Sequence, residues 1–134
     1  MKKIIQSYIK FKSKFKPKND FEFETANYNR LSLINRALNN FDKKNCRYLE
    51  IGLGDCNNYN SISLDINNKH GVDPAFDSVN NIHGVKSDEF FKNNDQTFDV
   101  IFIDGLHHYD QVLDDLKNSI NSLNKNGIIF IHDM

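Results

Sequence analysis

Two almost uninterrupted apolar runs, Phe98-Asp99-Val100-Ile101-Phe102-Ile103 and Ile128-Ile129-Phe130-Ile131, constrain this chain more than any other feature. A strand with one wet face alternates apolar and polar residues, whereas a run apolar on both faces needs cover on both, as in a parallel sheet between helices. Both runs end in polar groups, Asp104-Gly105 and His132-Asp133. Between them Val112, Leu113, Leu116, Ile120 and Leu123 give a helical stripe over 109–124. Its acids, Asp110, Asp114 and Asp115, lie near the start, and Lys117 and Lys125 lie towards the end, which suits the helix dipole. Asn126-Gly127 reads as the helix cap and turn before the second strand.

The same syntax extends upstream. Leu31, Leu33, Ile34, Ala37, Leu38 and Phe41 recur at helical spacing over 27–41, so this helix is expected to lie against a sheet. Tyr48-Leu49-Glu50-Ile51 reads as a short buried strand running into Gly52-Leu53-Gly54. The polar stretch after it predicts only a short or irregular helix, with Tyr59, Ile62, Leu64 and Ile66 as core residues. His70-Gly71-Val72-Asp73 and Asn81-Ile82-His83-Gly84-Val85 are brief strand candidates, and Ser87-Asp88-Glu89 starts a helix anchored by Phe90 and Phe91. Strands alternating with helices predict a doubly wound, mainly parallel α/β sheet, in which ligands bind beyond the carboxyl ends of the strands.

A chain of 134 residues suits one domain, here 27–134 behind a lysine-rich leader at 1–26. Residues 1–18 carry seven lysines and no acid, so the formal charge of −1 conceals a body near −8. An acidic body repels a nucleic-acid backbone over most of its surface, and nucleic acid is not expected as a partner. No apolar run reaches the length of a membrane helix, and no signal peptide is evident. With only Cys46 and Cys56 and no need for a disulfide, a reducing, cytoplasmic setting is expected.

The polar groups collect where strands end. Glycines at 52 and 54 allow close backbone approach at the first strand exit. Asp73 lies at the end of the next strand candidate, where a carboxylate can accept both hydroxyls of a ribose. Together they favour a nucleoside-containing ligand, while no Gly-Lys-Ser/Thr motif supports nucleotide hydrolysis. If the two long runs are neighbours, Asp104 and Asp133 meet at one edge and could hold a hard cation such as Mg²⁺. Alternatively, His107 could take a proton from a hydroxyl. Capping by Asp104 and purely structural roles for His108 and His132 stand beside these readings.

Tyr48 to Gly54 resembles the first motif of class I S-adenosylmethionine-dependent methyltransferases, and His70 to Pro74 resembles their second-strand motif. Phe98 to Tyr109 is similar to the fourth-strand motif of the subgroup known as methyltransferase domain 24, with Asp104, Gly105, His107, Tyr109 and Asp115 in place. Gly127 to Met134 resembles the subgroup's fifth strand and His-Asp ending. The chain departs at Cys56, where the family commonly has another glycine.

The resemblance implies a Rossmann-like fold with five strands in the order 3-2-1-4-5, and methyl transfer to a small hydroxylated acceptor such as a sugar. It implies that Glu50, Gly52, Gly54 and Asp104 line the S-adenosylmethionine, that Asp73 binds its ribose and that Ser87 and Asp88 lie beside adenine. Asp104, His107 and Asp133 become the expected catalytic groups, with Asp104 and Asp133 as metal ligands. The family normally continues with two more strands, so Ile128 to Ile131 is expected to form an edge that a further segment or a second copy completes. A degenerate, purely interacting domain is the competing expectation.

Overall fold

A computed structural model describes residues 29–105 and 108–132. The expected leader therefore lies outside the described residues, as do His107 and Asp133. The elements follow the order α1 (Arg30–Leu38), β1 (Tyr48–Ile51), α2 (Asn57–Ser61), a 3₁₀ turn (Ile66–Asn68), β2 (Lys69–Val72), β3 (Ile82–His83), α3 (Ser87–Asn93), β4 (Phe98–Ile103), α4 (Tyr109–Asn121) and β5 (Leu123–Ile131).

The strands form one sheet in the order β3-β2-β1-β4-β5, and every adjacent pair is parallel. β1 is central because all four of its residues are apolar or find internal partners, and all four are buried. Side-chain alternation divides the core between two faces. Tyr48, Val100 and Phe102 pack with Ile34 and Leu38 of α1 and with Leu53, Tyr59 and Ile62. Leu49, Ile51, Ile101 and Ile103 pack on the other face with Val72, Phe90 and Phe98. Each such side chain contributes about 1.5–3 kcal/mol by leaving water.

Helix α1 starts where the Asn29 side chain accepts the N–H of Ser32, and it ends three residues earlier than its apolar stripe suggests. Leu33 of that stripe is exposed at 42%, whereas Ile34 and Leu38 are fully covered. Ile66 was expected in the core and is exposed on the 3₁₀ turn, while Tyr59 and Ile62 are buried as expected. Lys69 is buried instead: its ammonium donates to the carbonyl oxygens of Tyr59 and Ile62 and lies 5.1 Å from the centre of the Tyr59 ring.

The largest correction concerns the last third. Helix α4 stops at Asn121, and β5 begins at Leu123 rather than Ile128. Leu123 pairs with Phe98, and pairing resumes at Val100 with Ile128, so 124–127 form an excursion within the strand. Asn126, at φ 68°, supplies its left-handed turn instead of capping a helix. The opposite strand is irregular too: the N–H groups of Asp99 and Val100 both point to the Arg47 carbonyl, and Phe98 thereby faces the same side as Ile101. On α4 the buried residues are Val112, Asp115 and Ser119, while Ile120, expected in the stripe, is exposed. No helix among the described residues is long and apolar enough to cross a membrane.

Candidate functional site

The carboxyl ends of β1, β2, β4 and β5 bring four polar groups to one rim. Glu50 is the buried acid of β1, and its position two residues after Tyr48 puts both side chains on one sheet face. The Tyr48 hydroxyl donates to Glu50 Oε2 at 2.6 Å, and Asn58 of α2 donates to the same oxygen at 3.0 Å. Burial raises the Glu50 carboxyl above the usual range; the two donors oppose that rise, nearby Asp104 adds to it and Arg30 offsets it.

The turn after β1 is built on glycine. Gly52, at φ 85°, continues the ladder by donating to the Val72 carbonyl at 2.9 Å. A side chain there would place its Cβ 2.3 Å from the Asp104 carbonyl oxygen, so the tips of β1 and β4 can adjoin only over a glycine. At Gly54, φ 53°, a Cβ would meet nothing within 4 Å, which leaves an open side to the turn. Cys56 also takes the left-handed conformation, φ 61°, at the position where the sequence departs from the glycine of its resemblance.

Asp73 stands at the tip of β2. Its Oδ2 accepts the Leu53 N–H at 2.9 Å, and its Oδ1 accepts the Ala75 N–H at 2.9 Å. Each carboxylate oxygen has two acceptor sites, so both keep capacity for a further donor. Asp104 follows β4 and is joined from two directions. Arg30 Nη1 donates to its Oδ2 at 2.6 Å, and His132 Nδ1 lies 2.8 Å from its Oδ1. His132 is set at that rim because its backbone N–H donates to the Ile103 carbonyl, extending the β4–β5 ladder.

Ser87 and Asp88 open α3 but contact α4 rather than the acids of the rim. The Gln111 side-chain amide reaches Ser87 Oγ at 3.2 Å, Asp88 Oδ1 at 3.4 Å and Asp115 Oδ1 at 3.1 Å. Asp115 is 1% exposed, and burial raises its carboxyl against the lowering effect of Ser87 and Gln111.

The expected magnesium pair, Asp104 with Asp133, falls only half within the described residues. No group of three His, Cys, Asp or Glu able to hold a metal occurs among them. Asp133 lies outside them, and each Asp104 oxygen has one partner, a guanidinium at Oδ2 and an imidazole at Oδ1. Sequence reasoning also passed over Arg30, Asn58 and Gln111. The period-two spacing of Tyr48 and Glu50 carried a usable signal for their contact, whereas nothing in the spacing linked Arg30 to Asp104.

An open parallel sheet whose order reverses between β1 and β4, with acids and a glycine turn beside that reversal, defines a Rossmann-like α/β protein, a class in which ligands bind beyond the carboxyl ends of the strands. The chain belongs to the methyltransferase domain family, whose sequence profile matches residues 34–134. None of the curated proteins matches it significantly.

Proposed function

We propose that the protein is an S-adenosylmethionine-dependent methyltransferase directed at oxygen, acting on a sugar or another small hydroxylated metabolite in the cytoplasm. The observation that carries the reading is the tie between Leu53 and Asp73, which holds the open glycine turn of β1 against the acid of β2. The donor set suits the cofactor: Gly54 leaves room for a chain to pass, and Asp73 retains acceptor capacity for a ribose diol. Glu50 lines the same turn as a carboxylate fixed by Tyr48 and Asn58. Ser87 and Asp88 are assigned to the adenine end, steadied by Gln111.

The bound cofactor supplies an activated methyl group, and the chain supplies alignment. Asp104 borders the reacting end, with Arg30 and His132 restricting its carboxylate to one orientation. An aliphatic hydroxyl needs a base as it becomes a nucleophile, and His107 and Asp133 are the residues assigned to that task.

Isothermal titration with S-adenosylmethionine, followed by methyl-release assays on a panel of sugars and hydroxylated acids, tests the proposal. Saturable binding that Asp73→Ala abolishes, with release on a hydroxylated acceptor, is expected. Absence of binding at millimolar cofactor would favour a degenerate interaction domain.

A further inference from the structure

We propose that Arg30 is the cation of the acceptor site, taking at Asp104 the place that a divalent metal would otherwise hold. The inference rests on the methyltransferase reading for the word acceptor, and on side-chain geometry for the rest.

Arg30 is a built part of the rim. It occupies the first turn of α1, a helix capped by Asn29 and anchored by Ile34 and Leu38, both at 0% exposure. Its partner Asp104 has a side chain only 16% exposed, so the 2.6 Å contact is a charge-assisted bond between a half-exposed arginine and a mostly covered carboxylate. The Arg30 side chain is 45% exposed, and its guanidinium has five N–H donors, of which the contact with Asp104 uses one nitrogen. The guanidinium presents its positive charge in a planar fork of donors suited to oxygen acceptors.

A dication bound to Asp104 would have to displace that guanidinium or sit beside it against like-charge repulsion. His132 at 2.8 Å from Oδ1 takes one acceptor site of the other oxygen. The charge that a metal brings to an acceptor oxygen is therefore supplied by a side chain, and the remaining N–H donors of Arg30 can receive that oxygen. This predicts an acceptor site that works without a divalent ion.

The test has two arms on the full chain. In the first, Mn²⁺ is titrated into wild type, Arg30→Lys, Arg30→Ala and the double variant Arg30→Ala/Asp104→Asn, with binding followed by electron paramagnetic resonance. Wild type and Arg30→Lys should leave Mn²⁺ free up to about 1 mM, the weak limit of ordinary carboxylate sites. Arg30→Ala should gain a saturable site that the double variant loses. Saturable wild-type binding that depends on Asp104, or an Arg30→Ala protein that stays silent although circular dichroism shows it folded, would overturn the proposal.

In the second arm, methyl transfer is measured with and without chelator. Wild-type turnover should be unchanged by chelator, and Arg30→Ala should raise the acceptor KM about tenfold to a hundredfold, the loss of one charged hydrogen bond. Turnover abolished by chelator and restored by Mg²⁺ would overturn the proposal. Failure to bind S-adenosylmethionine would instead sink the methyltransferase reading, and the Mn²⁺ arm would still decide the role of Arg30.

Discussion

The carboxylate of Asp73 accepts the backbone N–H of Leu53, so the acid proposed to bind ribose at the tip of β2 also fastens the glycine turn of β1. Two functions in one side chain can be separated by substitution. Asp73→Asn keeps one acceptor oxygen, enough for the Leu53 N–H while its amide nitrogen faces the Ala75 N–H, so it should lose part of the stability that Asp73→Ala loses, and its affinity for S-adenosylmethionine should fall. Asp73→Ala also removes the bonds to Leu53 and Ala75 and should cost about 1–2 kcal/mol of stability. Urea denaturation and calorimetric titration on the two variants distinguish the contributions; equal stability of both would refute the fastening role.

The two glycines of the turn should respond differently to alanine. Gly52→Ala drives a methyl into the Asp104 backbone from a positive φ, and a loss of more than about 3 kcal/mol is expected as β1 and β4 are forced apart. Gly54→Ala meets no atom of the chain and should cost about 1 kcal/mol through backbone strain alone, yet the added methyl should weaken cofactor binding. A Gly52→Ala protein as stable as Gly54→Ala by thermal denaturation would contradict the close approach.

Cys56 holds a left-handed conformation that glycine adopts without strain. Cys56→Gly should be more stable than Cys56→Ala by about 1 kcal/mol, because both remove the thiol and only glycine relieves the backbone. Chemical denaturation of the pair measures that difference directly. The sign would reverse if the segment relaxed away from positive φ in the alanine variant.

Away from the rim, the His70 and His83 rings stack with Nδ1 and Nε2 3.4 Å apart, beside a cavity of about 270 Å³. Burial, with smaller contributions from His83 and Arg47, pushes the His70 imidazole down to about 4 from its ordinary 6.5. Between those values the unfolded chain binds a proton that the native protein refuses, so stability rises with pH across this window and is lost as pH falls from 6.5 towards 4. The full effect is on the order of 3 kcal/mol. His70→Asn should flatten the acid limb of a stability–pH curve, and an unchanged slope would show that His70 does not carry it.

Fold and site were legible to different depths. Buried strands announce themselves through Phe98 to Ile103 and Tyr48 to Ile51, and the acids that follow mark the rim without any knowledge of contacts. The excursion in β5 was not legible, since Asn126-Gly127 serves a helix cap and a left-handed strand turn equally well. The burial of Asp115 and Ser119 in place of Ile120 escaped a reading that counts only apolar stripes. Arg30 meets Asp104 across 74 residues of sequence, a pairing that no local pattern encodes.

Lys69 ties the carbonyl end of α2 to the start of β2, while Asn58 of the same helix reaches Glu50. An amine-selective label should therefore react slowly at Lys69 and only when this segment loosens. Its labelling rate becomes a clock for openings beside the glycine turn, and a ligand that settles there should slow the clock even in the absence of turnover.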